Sequence, residues 1–73
     1  MLKRVREIVA DVTGNSVDRI TEESTCRNVA GWDSVAQVNI VVTVESDFNV
    51  SFSAAELHEL NSVKKIVHAL ASS

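Results

Sequence analysis

A chain of 73 residues has room for one domain with one modest core, and it is a small scaffold for an enzyme cleft. Hydrophobic residues make up 45%, which argues against a disordered chain, and no Pro with only two Gly favours helices over a hairpin-rich sheet. The net charge of −3, with Arg27 the only Lys or Arg between Glu22 and Glu59, disfavours nucleic acid and leaves an acidic centre for a basic partner to read.

Leu2, Val5, Ile8, Val9 and Val12 recur at helical spacing, with Lys3, Arg4, Glu7 and Asp11 on the other side. This predicts a first amphipathic helix that ends near Thr13, capped by Gly14. From Gly14 to Asp33 no periodicity follows, and Val17, Ile20 and Val29 stand as isolated anchors. A connection of that length in a compact domain is usually functional or ordered by packing. Within it lies the one cysteine, Cys26. An internal disulfide is therefore impossible, a reduced, cytoplasmic setting is expected, and no neighbouring base marks Cys26 as a catalytic thiol. The N-terminus is amphipathic rather than a signal peptide, and no apolar run has the length for membrane insertion.

The segment Ser34 to Phe48 supports two readings. Val38, Ile40, Val42 and Val44 alternate with Asn39, Val41 and Thr43, a fair strand pattern in β-branched residues. Against it, no breaker interrupts the stretch, which is long for a strand. It also carries a helix start, with Ser34 and Gln37 as a capping box or Asp33 as an alternative cap. The helix reading is preferred. Wound as a helix, the segment has two apolar faces: Ile40, Val41, Val44 and Phe48 on one, and Val35, Val38 and Val42 on the other. Such a helix is either fully buried or uses one face for a partner.

Ser53 and Glu56 form a capping box, and Phe52 can staple onto Leu57, so a short third helix begins there and ends near Asn61. The last helix starts at Asn61 or Ser62 and buries Val63, Ile66, Val67 and Leu70. His58 and His68 fall on different helices with no cluster to complete a metal site, so no metal is expected. The whole reads as one all-α domain, residues 1–73, of four helices with a long first loop and a short third helix.

Chemistry concentrates at Gly31-Trp32-Asp33-Ser34-Val35, where the loop meets the second helix. A serine there is exposed, and a helix N-terminus favours an attached phosphodiester. From the residues alone, the preferred reading is the plainer one, with Ser34 only an N-cap and Asp33 a solvated loop acid. No nucleophile, base and orienting group can be placed together, so catalysis by the chain itself is not expected.

The Trp-Asp-Ser-Val stretch resembles the attachment motif of acyl carrier proteins, commonly Asp-Ser-Leu. The resemblance extends over nearly the whole chain: the first helix, the long loop, the Asp-Ser helix start, Phe48 closing that helix, the short helix from Ser53 to Leu60, and the Asn61-Ser62-Val63 start of the last. It implies a four-helix acyl-carrier-like bundle in which Ser34 receives 4′-phosphopantetheine from coenzyme A. A separate Mg²⁺-dependent phosphopantetheinyl transferase would attach it, with Asp33 favouring the reaction. The arm's thiol would hold acyl or aminoacyl groups as thioesters and present them to loading, elongating or transferring enzymes. The resemblance further implies a partner-docking face on the second helix, with Val35, Val38 and Val42 as its apolar positions and Glu45 and Asp47 as later acids. By the same resemblance the third helix can shift to admit an acyl chain beside Val41 and Val44; a closed core with cargo in solvent is the alternative.

The chain departs from fatty-acid carriers by holding Ala36, Gln37 and Asn39 where acids are usual. That points to a specialised polyketide, nonribosomal peptide or unusual acyl pathway, with housekeeping fatty acid synthesis as the alternative. A monomer is expected of a carrier that visits many partners. The rival of a different class is an unmodified helical adaptor that binds through Val35, Val38 and Val42. For Trp32, packing over the loop is preferred to contact with transferase or arm.

Overall fold

The computed structural model describes residues 1–72 and contains four α-helices: α1 (Leu2–Thr13), α2 (Ser34–Phe48), α3 (Ala54–Glu59) and α4 (Val63–Ala71). Among the described residues there is no strand, only an isolated antiparallel bridge between Thr25 and Ser62. The all-helical architecture with a long first loop and a short third helix is the one expected. α1 packs against α2 and α4, and α2 packs against α3.

α1 buries Val5, Ile8 and Val9, three positions brought to one side by the helical repeat. Gly14 ends it in the left-handed conformation (φ 75°), and its N–H donates to the Ala10 carbonyl. The loop that follows is held by specific bonds. A short 3-10 turn spans Val17–Arg19 and delivers Ile20 fully into the core. Arg6, one of the bases clustered near the N-terminus, reaches from α1 and donates to the carbonyls of Ile20 and Val17. Further on, the Val63 N–H donates to the Ser24 carbonyl and the Cys26 N–H to the Asn61 carbonyl, both at 3.0 Å. The loop is thereby tied to α1 at one end and to the α3–α4 junction at the other, so the backbone ahead of α2 is held in place.

α2 is helical despite seven β-branched residues in fifteen (Val35, Val38, Ile40, Val41, Val42, Thr43 and Val44). Their helix propensities are only modestly poorer than those of good formers. Tertiary burial of Ile40, Val41 and Val44 outweighs that deficit. The helix closes on Asn49, whose left-handed backbone (φ 56°) serves as the C-cap. α3 has six residues and is too short to persist alone. Its predicted capping box is complete: the Glu56 N–H donates to the Ser53 hydroxyl, and the Ser53 N–H to the Glu56 carboxylate. Ser62 caps α4 by accepting from the Lys65 N–H at 3.1 Å.

Candidate attachment site at the start of helix α2

Ser34 is the first residue of α2 and is exposed. The cap is Asp33, whose Oδ1 accepts from the Ala36 N–H at 2.9 Å. Of the two capping schemes the residues allowed, the structure therefore adopts the Asp33 one. Gln37 does not reach back as a capping-box partner. Ser34 is thus relieved of a capping duty and presents its hydroxyl at the open end of the helix. The first N–H groups of a helix lack intrahelical acceptors. With that of Ala36 taken by Asp33, those of Ser34 and Val35 remain beside the hydroxyl, where a phosphodiester on Ser34 would lie. An exposed hydroxyl on the first helical turn, with two first-turn N–H groups not taken by the Asp33 cap, fits an attached phosphopantetheine.

Behind Ser34 lies a buried polar clasp. Trp32 is only 4% exposed, and its indole N–H donates to Gln37 Oε1 at 2.7 Å. The same amide's Nε2 donates to the carbonyls of Leu57 (3.0 Å) and Leu60 (2.8 Å) at the end of α3. Gln37 thus satisfies one loop donor and two carbonyls of α3 with a single side chain. Trp32 packs inward over the loop, as preferred from the sequence. The role of Gln37 was missed, although the signal was there: position 37 precedes Ile40, Val41 and Val44 by three, four and seven residues, on the buried face of the helix. Ala36 is buried as well. Of the three positions noted for lacking acids, only Asn39 is exposed, so acids at 36 or 37 in this fold would not face a partner.

Outside the clasp, Val35 is 70% and Val42 52% exposed, with Val38 half-buried between them. These residues form an apolar stripe on the outer face of α2, beginning next to Ser34. The two acids expected further along are engaged within the chain. Glu45 is half-buried and its Oε2 accepts from the Phe52 N–H at 2.7 Å, which anchors the α2–α3 connection. Asp47 receives a two-pronged bond from Arg4, Nε to Oδ2 and a second guanidinium nitrogen to Oδ1, both 2.9 Å. That hydrogen-bonded guanidinium holds the Asp47 carboxyl below its ordinary value, and Asp47 in turn raises Arg4.

A groove of about 350 Å³ opens beside Ser34, lined by Cys26, Trp32, Asp33, Ser34, Gln37, His58 and Asn61. His58 and His68 do not meet. His68 lines a larger depression of about 880 Å³ between α3 and α4, which shares no residue with the Ser34 groove. Among the described residues, no group of three or more His, Cys, Asp or Glu converges to hold a metal ion. Val41 and Val44, beside which the resemblance would place an acyl chain, are fully buried.

A family profile described as "Phosphopantetheine attachment site" matches residues 3–70. The acyl carrier protein of Cyanidium caldarium is 30% identical over 67 residues, covering 92% of this chain and 78% of the relative. That of Thermotoga maritima is likewise 30% identical over 67 residues, covering 92% and 83%. Both alignments take in most of each partner, and the profile spans all four helices together with the Asp-Ser helix start. The chain accordingly belongs to the acyl carrier protein family, whose members are carriers rather than enzymes and bear a phosphopantetheine group.

Proposed function

We propose that residues 1–73 form a single acyl carrier domain whose 4′-phosphopantetheine is attached at Ser34, and that it serves a specialised acyl pathway rather than housekeeping fatty acid synthesis. The observation that carries the attachment site is the division of labour at the start of α2: Asp33 caps the helix, and the exposed Ser34 is left without that task. When bound, the group supplies a flexible arm with a terminal thiol that holds acyl cargo as a thioester. The chain's own residues position it. Asp33 fixes the first turn, the Trp32–Gln37 clasp holds the preceding loop, and the N–H groups of Ser34 and Val35 would be available to a phosphodiester on Ser34.

The family implies a phosphopantetheinyl transferase and acyl-handling enzymes as partners. Their docking face in this reading is the stripe of Val35, Val38 and Val42. The specialised pathway is supported by the charge pattern of that face. Asn39 is neutral, and Glu45 and Asp47 are held by Phe52 and Arg4. A partner that docks through Arg or Lys pairs finds few free acids here; one with an apolar patch finds two exposed valines. A monomer in a reducing, cytoplasmic compartment completes the proposal, consistent with the half-buried free thiol of Cys26. No helix among the described residues is long and apolar enough to cross a membrane.

The test is intact mass after incubation with coenzyme A, Mg²⁺ and a broad-specificity transferase. One phosphopantetheinyl group is expected on the natural chain and none on Ser34→Ala, with Trp32 fluorescence showing both folded. Equal modification of the two proteins would refute Ser34 as the site. No modification of either would bring forward the unmodified adaptor.

A further inference from the structure

We infer that the Trp32–Gln37–α3 clasp restricts this carrier to short or polar acyl cargo, held outside the core. The inference rests on attachment at Ser34 and deepens that reading by naming the cargo class.

An alkyl chain carried on Ser34 gains free energy by leaving water, and the apolar core of the domain includes Val41, Val44 and Leu60. The way in passes the groove beside Ser34, and Gln37 lines that groove. Its amide is committed in both directions, accepting from the Trp32 indole and donating to the carbonyls of Leu57 and Leu60. For α3 to move off α2, the two bonds to α3 must break, the one to Leu60 buried and the one to Leu57 partly buried. Buried amide and carbonyl groups would then be left unpaired. An entering methylene chain cannot replace them, because it neither donates nor accepts. An apolar residue at position 37 would have no such bonds to lose when α3 moved.

The groove itself offers alkyl chains little. Asp33, His58 and Asn61 supply polar groups along it, and it is open to solvent. A short acyl group, or one bearing hydroxyl, amino or amide functions, finds hydrogen-bonding partners there and has little apolar area to hide. In that groove a long alkyl chain finds neither a closed pocket nor an easy way to make one.

The experiment loads the intact protein with acetyl- or decanoyl-phosphopantetheine from the corresponding coenzyme A thioesters, verified by intact mass. It then compares methyl spectra of Val41, Val44 and Leu60 and the thermal midpoints. The natural chain is expected to show superimposable core methyl signals and equal midpoints for the two cargoes. In Gln37→Met, which keeps volume and removes the amide, decanoyl loading is expected to shift those signals and raise the midpoint. Trp32→Phe, which removes one bond of the clasp, is expected to show a smaller shift and serves if Gln37→Met does not fold. Decanoyl-dependent shifts in the natural chain overturn the inference. So does a folded Gln37→Met that stays blind to the decanoyl group. A chain that takes no arm overturns attachment at Ser34 and this inference with it, and mass separates that result from the spectroscopic ones.

Discussion

At the residue scale, the two glycines show how differently one backbone requirement can be enforced. Both have positive φ, 75° at Gly14 and 87° at Gly31. Around Gly14 an added Cβ meets open space, so Gly14→Ala costs only the left-handed penalty, about 1–2 kcal/mol. At Gly31 the Cβ would stand 2.6 Å from the Thr13 carbonyl oxygen, a backbone atom that cannot step aside. Gly31→Ala is expected to lose clearly more than Gly14→Ala, above roughly 2 kcal/mol. Urea unfolding followed by Trp32 fluorescence decides this; equal losses would contradict the packing seen between the Gly31 turn and the end of α1. Asp33 gives a second residue-level expectation. Asp33→Ala removes a cap and should cost about 1 kcal/mol, whereas Asp33→Asn keeps an acceptor and should cost little. If the transferase reads the carboxylate, its rate on Asp33→Asn falls although the stability does not; a rate equal to the natural protein's would confine Asp33 to capping.

At the element scale, α2 carries most of the account, and it was the hardest segment to read. Its apolar residues cover two sides, so neither period stands out, and its β-branched content mimics a strand. Length, the absence of breakers and the start signal at Asp33-Ser34 decided correctly, because cap chemistry is local. The stripe of Val35, Val38 and Val42 was legible for the same reason: once the helix is granted, spacing alone places those residues opposite Ile40, Val41 and Val44. What spacing could not show is pairing across the fold. Arg4 and Asp47 lie 43 positions apart and meet only because α1 packs against α2. Their bond makes a pH prediction. Asp47 has a depressed native value, so it contributes stability fully above its ordinary value of 3.8, and that contribution is lost as pH falls through the depressed one. The stability gap between the natural chain and Asp47→Asn should therefore be present at pH 7, close in acid, and narrow with added salt because the pair is exposed. A gap unchanged across that acid range would contradict the pairing. Replacing Val35 and Val42 by Ser should leave stability within about 0.5 kcal/mol, since both are exposed. The transferase's KM for the double variant should rise several-fold if docking uses that face; an unchanged KM would assign the valines no part in it.

At the scale of the whole molecule, a long loop and four helices combine to present one serine. Arg6 and the bonds of Ser24 and Cys26 hold the loop, Trp32 and Gln37 lock its end to α2 and α3, and Asp33 starts the helix with Ser34 outward. The four-helix plan was legible because caps and apolar periodicity are short-range. Spacing put Gln37 on the buried face, but its partners in the clasp were not legible, because Trp32, Leu57 and Leu60 meet it only once the loop and α3 fold against α2. Gln37→Ala should cost about 2–3 kcal/mol, a large share of the stability of a domain this small, because it strands buried groups in the loop and in α3. The central claim, that the arm sits on Ser34, is tested most directly by locating the modification within the natural chain. Trypsin cuts after Arg27 and Lys64, so fragment ions of the peptide from Asn28 to Lys64 distinguish Ser34 from Ser46, Ser51, Ser53 and Ser62. The account predicts the whole phosphopantetheinyl mass on Ser34 alone; the same mass on any of the other serines would contradict it.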